Sequence, residues 1–113
     1  MISVAARLVE MHPQTLRKYE REGLCVPSRT QGNLRLYSDR DIALLRQVKY
    51  LVEDCGLNLA GVQMALELTR RLRDVRSKSD AMAETGSVSA DEIRDRVDQM
   101  LRLLGQPDMR ARG

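Results

Sequence analysis

Apolar residues recur along this chain at three- and four-residue steps far more often than in alternation, and that period predicts helices. Ser3 stands before Val4-Ala5-Ala6-Arg7-Leu8-Val9 and can cap a short first helix. Glu10-Met11-His12 interrupts the pattern, and Pro13 suits the first turn of a second helix because its missing N–H would be unpaired there anyway. That helix runs to Glu22 with Leu16 and Tyr19 on one face, and Gly23 stands where a terminating glycine belongs. Two short helices joined by a tight turn are the helix-turn-helix plan.

The next stretch changes period. Pro27, Gly32 and Asn33 punctuate it, and Leu34/Leu36 alternate with Arg35/Tyr37, which predicts a small hairpin with its tip near Gln31-Gly32-Asn33. Ser38-Asp39-Arg40-Asp41 reads as a capped helix start, followed by Ile42, Leu45, Val48, Leu51 and Val52 at helical spacing and ended by Gly56. Asn58 can cap a fourth helix carrying Val62, Met64 or Ala65, Leu66, Leu68 and Leu72. A Ser-, Asp-, Ala- and Gly-rich stretch from Ser77 to Ser89 reads as a linker or frayed helix end. Ser89-Ala90-Asp91-Glu92 is a capping box in sequence, and Ile93, Val97, Met100, Leu101 and Leu104 form the stripe of a last helix, stopped by Gly105-Gln106-Pro107. The expected organisation is a helix-turn-helix unit over residues 1–70, with its second helix at about 13–22 and its hairpin at about 24–37. A helix end and linker follow at 71–89, then a helix at 90–105 and a disordered tail at 106–113.

Composition narrows the function classes. The 113 residues include no Phe, no Trp and three Tyr, so the core must be built from Leu, Val, Ile, Met and Ala, which suits an all-α fold. No apolar run approaches the roughly 18 residues of a membrane helix, and the start carries no signal-peptide pattern. One His and two separated Cys leave little material for a nucleophile–base pair or a four-ligand zinc site, which argues against an enzyme and against any cofactor. Two cysteines are too few for a disulfide scaffold and fit a reducing cytoplasm. Cys25 and Cys55 both read as small buried hydrophobes rather than thiol sensors. His12 reads as a structural residue of the turn, and Tyr50 as core or dimer surface.

The net charge of +3 is uneven: residues 12–37 hold five basic and two acidic side chains, whereas 80–113 hold five basic and seven acidic. A basic front and a mildly acidic tail suit a polyanion-binding module joined to something else. On the 13–22 helix, Gln14, Thr15, Arg17, Lys18 and Arg21 are the exposed candidates for base and phosphate contact, and Arg29, Asn33, Arg35 and Tyr37 of the hairpin could reach the flanking backbone. Any short basic amphipathic helix offers a similar set, so periodicity and charge alone leave DNA binding and a plain solvated face both open. Arg70, Arg71, Arg73 and Arg76 read as a solvated helix end.

A resemblance decides between those alternatives. Residues 2–68 resemble the DNA-binding domain of the MerR family, in five blocks that occur in the family's order. These are Ser3-Val4-Ala5-Ala6; Thr15-Leu16-Arg17-Lys18-Tyr19-Glu20-Arg21-Glu22-Gly23-Leu24; Arg29 and Gly32 with Arg35-Leu36-Tyr37-Ser38; Asp41-Ile42 with Leu45; and Gly56-Leu57-Asn58-Leu59-Ala60-Gly61-Val62. Met11 to Arg17 and Asn58 to Gly61 are most similar to the HspR heat-shock repressor branch, although that branch carries an Arg-Arg pair where this chain has Arg35-Leu36. Gln31 to Tyr37 also resembles the GlnR/TnrA nitrogen-control repressors.

The resemblance implies a winged helix-turn-helix protein with a small β-hairpin wing that binds an inverted-repeat operator as a homodimer. Thr15, Arg17 and Tyr19, with Arg29, Arg35 and Tyr37 on the wing, take the family's DNA-contact positions. Ile93, Val97, Met100, Leu101 and Leu104 would supply the C-terminal dimerisation helix, unless that stripe instead folds back on residues 42–72. For the HspR branch it further implies repression of chaperone genes with a DnaK-type chaperone as co-repressor. A protein-interaction adaptor that keeps the fold without binding DNA is the remaining alternative.

Overall fold

The computed structural model describes residues 1–83 and 88–106. It is mostly helical: α1 (Ile2–Val9), α2 (Pro13–Arg21), a two-stranded hairpin β1 (Ser28–Arg29) and β2 (Arg35–Leu36), α3 (Asp39–Lys49), a π-helical turn at Tyr50–Asp54, α4 (Leu59–Ala83) and α5 (Val88–Leu103). These form two compact units that divide between Lys49 and Tyr50. No helix among the described residues is long and apolar enough to cross a membrane.

In the first unit, α1 packs on α2 and α3. Ala5, Ala6 and Val9 of α1, Leu16 and Tyr19 of α2, Leu24 and Cys25 after it, and Leu45 and Val48 of α3 are all buried. The sequence cap at Ser3 is not the one used: α1 begins at Ile2, because the N–H of Ala5 already reaches the carbonyl of Met1 at 3.1 Å, and Ser3 lies within the first turn. Helix α1 ends on Glu10 in the left-handed region (φ 56°), with the N–H of Met11 donating to Ala6 O. The Lys49 ammonium lies 3.2 Å from the carbonyls of both Val9 and Glu10, placing a cation at the negative end of that helix.

The turn into α2 follows the expectation. His12 is the N-cap, its Nδ1 accepting from the N–H of Gln14 at 3.1 Å, and Pro13 takes the first helical position. At the other end Gly23 adopts φ +75°, its N–H donates to Glu20 O, and the N–H of Leu24 donates to Tyr19 O. That pair of bonds is a Schellman closure, sealed by the buried Leu24 and Tyr19. Helix α3 opens on a reciprocal capping box: the N–H of Asp41 donates to Ser38 Oγ at 3.0 Å, and Asp41 Oδ2 accepts from the N–H of Ser38 at 2.9 Å.

The second unit is α4 against α5, with Leu51, Val62, Ala65, Leu66, Val97 and Leu101 inside. The periodic helix expected to run to Gly56 changes to π winding at Tyr50, with the N–H of Cys55 donating to Tyr50 O. Asn58 caps α4 through its Oδ1, which accepts from the N–H of Gly61 at 2.9 Å. Ala65 rather than Met64 faces inward; Met64 is 74% exposed. Helix α4 continues through Ala83, so the helix end expected within 71–89 takes up most of that stretch, and α5 starts at Val88, ahead of the expected Ser89 cap. Its Ser and Asp content is tolerated there because such residues weaken a helix by only tenths of a kcal/mol each, and ion pairs Arg76–Asp98 (3.4 Å) and Asp80–Arg94 (3.1 Å) tie α4 to α5. The tail at 107–113 lies outside the described residues.

Tyr50 anchors the far end of α5: its hydroxyl donates to Leu103 O at 3.1 Å, and its ring lies against Gly105. Cys55, expected to be buried, is exposed, because the π turn carries it past the interior position that unbroken α winding would have reached. Cys25 is buried, and desolvation pushes its thiol pKa up to about 12. Native protein at pH 8 is therefore expected to react with a disulfide reagent at Cys55 only, the second thiol appearing on denaturation. Thiol titration with and without guanidinium checks this, and two fast thiols in the folded chain would contradict it.

Candidate nucleic-acid interface

Leu16 and Tyr19 turn α2's inner face to the core, and the remaining arc of a 3.6-residue helix is forced outward. Gln14, Arg17, Lys18 and Arg21 share that outer arc; Gln14, Lys18 and Arg21 are exposed and Arg17 is half-buried, as is Thr15 at the arc's edge. Lys18 pairs with Glu22 one turn on, at 3.8 Å. Among the described residues Gln14, Arg17 and Arg21 have no side-chain hydrogen bond or ion pair, so their donors point to solvent uncommitted. A cationic face of this length matches the major groove in width and in chemistry.

Tyr19 is a different matter. Placed at a DNA-contact position by the resemblance, it is 7% exposed and packs its ring into the core beneath the helix. The wing also departs from a simple picture. Its antiparallel register pairs Ser28 with Leu36 and Arg29 with Arg35. The loop closes by Thr30 N–H to Leu34 O and Asn33 N–H to Thr30 O, with Asn33 in the left-handed region and exposed at the tip. Val26, Leu34 and Leu36 face solvent, whereas Arg35 and Tyr37 turn inward. The Tyr37 hydroxyl is buried with no hydrogen-bond partner among the described residues, and burial pushes its pKa up.

The residue that organises this side is Glu20. Its Oε1 accepts from the Arg29 guanidinium at 2.9 Å and its Oε2 from Arg35 Nε at 2.8 Å, so one carboxylate on α2 engages both arginines of the wing. Arg29 also donates to Asn33 O at 3.1 Å, tying the hairpin's loop to its first strand. The Arg35 hydrogen bond, more than the Arg29 one, holds the Glu20 carboxyl below the usual carboxylate range, against the opposing pull of burial. Sequence reasoning missed Glu20 as a working residue. The signal was present: Glu20 follows Leu16 by one turn, and an acid on the inward side of a helix calls for a cationic partner.

In the second unit the five residues expected to form a dimer stripe divide. Val97 and Leu101 are buried in the same chain, Leu104 is half-buried, and Ile93 and Met100 are exposed. Of the basic cluster, Arg70 and Arg71 both pair with Glu67 and Arg76 pairs with Asp98, so these charges are engaged within the unit.

Comparison with known proteins points the same way. Residues 1–69 match the sequence profile of the MerR HTH family regulatory proteins. A Streptomyces coelicolor protein named for heat shock, HspR, is 46% identical over 96 residues, 85% of this chain and 64% of its own length. The HTH-type transcriptional regulator GlnR of Bacillus anthracis is 32% identical over 82% of this chain and 69% of its own length. The HTH-type transcriptional regulator MlrA of Escherichia coli is 38% identical over 58% of this chain but only 27% of its own length. The chain thus spans just under two thirds of the HspR relative. No solved structure matches it.

Proposed function

Because the chain belongs to the MerR HTH family of regulatory proteins, we propose that it is a sequence-specific DNA-binding repressor of heat-shock and chaperone genes. It acts in the cytoplasm and reads an inverted repeat as a homodimer. The observation that carries this is the uncommitted cationic arc of Gln14, Arg17 and Arg21 on a helix whose neighbour hairpin is tied to it by Glu20. Helix α2 enters the major groove; Arg17 and Arg21 supply bidentate donors for guanine or phosphate, and Gln14 an amide for adenine. Arg29, Asn33 and Arg35 then meet the backbone of the flanking strand, with Thr15 and Lys18 on phosphate oxygens. The 46% identity to HspR favours the heat-shock assignment. A DnaK-type chaperone is the co-repressor that the HspR resemblance implies.

Two-fold pairing is supported by apolar side chains that the second unit leaves exposed, among them Met64, Leu68, Ile93, Met100 and Leu103. Ile93 and Met100, rather than Val97 and Leu101, carry that role in this reading. A dimer of this kind presents two α2 helices to two half-sites.

Arg17→Ala is expected to weaken binding to a selected inverted-repeat duplex about 10- to 100-fold, from the roughly 1–3 kcal/mol that a base-contacting arginine contributes. Fluorescence anisotropy at fixed salt measures it. An unchanged Kd would favour an adaptor that keeps the fold without reading DNA. A second reading, nitrogen control, is favoured by the 32% identity to GlnR. Genome-wide occupancy before and after heat shock separates the two, because only the heat-shock reading requires release from chaperone promoters on warming.

A further inference from the structure

The wing is too small to hold its own position. Its ladder has two residues per strand, and isolated hairpins of that size are marginal in water. One outward face carries Val26, Leu34 and Leu36, so hydrophobic burial of that face does not fix it either. What bridges it to α2 is the pair of charge-assisted bonds at Glu20, whose side chain is 18% exposed, with Arg35 at 22% and the more open Arg29 at 36%. Charge-assisted pairing that is partly withdrawn from water is less screened than a fully exposed ion pair, and the Arg35–Glu20 bond is the more sheltered of the two.

We infer that Glu20 is a positioning residue for DNA discrimination, fixing the wing's offset from α2 and withholding two guanidinium groups from indiscriminate phosphate contact. The inference rests on the DNA-binding reading above and adds a residue to it. Arg35 spends its Nε on Glu20, which leaves its two terminal nitrogens aimed by that bond. Arg29 is held twice, by Glu20 and by Asn33 O. Removing the carboxylate frees both arginines to follow any phosphate and adds one net positive charge beside α2. Unspecific binding then rises with a steeper salt dependence, while the matched site loses the fixed geometry that distinguished it.

The test uses the full chain and its Glu20→Gln and Glu20→Asp variants. One probe is the duplex that the wild-type chain selects from a randomised library; the other is poly(dI–dC). Glu20→Gln is expected to tighten binding to poly(dI–dC) and to lower the preference for the selected duplex on the order of tenfold. The log–log salt slope on poly(dI–dC) should steepen by about 0.9 for each arginine released. Glu20→Asp, which keeps the charge, should recover part of the preference. In the free protein, amides 28–36 should exchange faster in Glu20→Gln. In an Arg29→Ala/Arg35→Ala background, adding Glu20→Gln should change the preference no further.

Equal loss on both probes at unchanged salt slope would make Glu20 merely structural and overturn the inference, as would unchanged binding to both. The DNA-binding reading is judged separately by the wild-type chain, which must itself show a salt-sensitive preference; without one, the reading and this inference fall together.

Discussion

Leu16→Ala is expected to cost the first unit about 3 kcal/mol, within the 2–5 kcal/mol typical of a fully buried leucine truncated to alanine. Leu16 is 1% exposed, and the first unit's small core shares burial among Ala5, Ala6, Val9, Leu45 and Val48, so a truncated leucine there leaves a cavity. A domain this small has only about 5–15 kcal/mol of total stability. The thermal midpoint should therefore fall by roughly 10–20 °C. Because Leu16 shares α2 with Gln14, Arg17 and Arg21, DNA binding should fail at the same temperature as the fold, not before it. Leu34→Ala is the control: that side chain is 55% exposed, and its loss should cost within about 0.5 kcal/mol. Circular-dichroism melts of both variants, followed alongside anisotropy, check the pair. Similar melts for the two would mean that the core beneath α2 has been misassigned.

Gly105→Ala should be the second large loss, also about 3 kcal/mol, and confined to the second unit. Two independent costs coincide there. The backbone sits at φ +87°, a region that costs an L-residue about 1–2 kcal/mol. A Cβ at that position would also lie 2.6 Å from Tyr50 Cδ2, closer than carbon atoms tolerate. Relief requires the Tyr50 ring to move, which breaks the bond from its hydroxyl to Leu103 O and loosens the end of α5.

Other glycines set the scale. Gly23 shares the positive φ but has open space around it, so Gly23→Ala should cost about 1 kcal/mol. Gly32 has ordinary room, with Thr30 Oγ1 at 3.8 Å, and Gly32→Ala should be nearly neutral. The expected order of destabilisation is Gly105, then Gly23, then Gly32, measured by denaturant titration. In the proposed homodimer, Gly105→Ala should also weaken self-association, because Ile93 and Met100 stand on the helix it loosens. Loss of stability at Gly32 exceeding that at Gly105 would refute this account of the α5 terminus.

Much of this was legible locally. The caps at His12-Pro13, Ser38-Asp41 and Asn58, the closure at Gly23 and the hairpin tip at Gln31-Gly32-Asn33 are short-range chemistry, decided within four or five residues. Their side chains meet backbone groups that the chain must place nearby whatever else it does. The outward arc of α2 was equally readable, since Leu16 and Tyr19 set its inner side and the helical period sets the rest. Family membership was legible because those local signals recur in one order.

Other features depended on groups far apart in sequence. Alternation in Leu34 to Tyr37 marks two faces of a strand without saying which is inner. A leucine face would ordinarily be buried, yet Arg35 and Tyr37 face inward because Glu20, fifteen residues before Arg35, offers a carboxylate there. The α5 stripe likewise names candidates for burial but not their partner, and α4 takes Val97 and Leu101 while leaving Ile93 and Met100 exposed. Cys55 emerged because a π turn shifted the phase of a helix whose apolar spacing reads as unbroken. The caps at His12, Ser38 and Asn58, the closure at Gly23 and the outward arc of α2 were thus determined by the sequence alone, because each needs only neighbours. The inner face of the wing and the allocation of α5 were decided by tertiary structure, because a charge or an apolar side chain settles only when the surface opposite it is present.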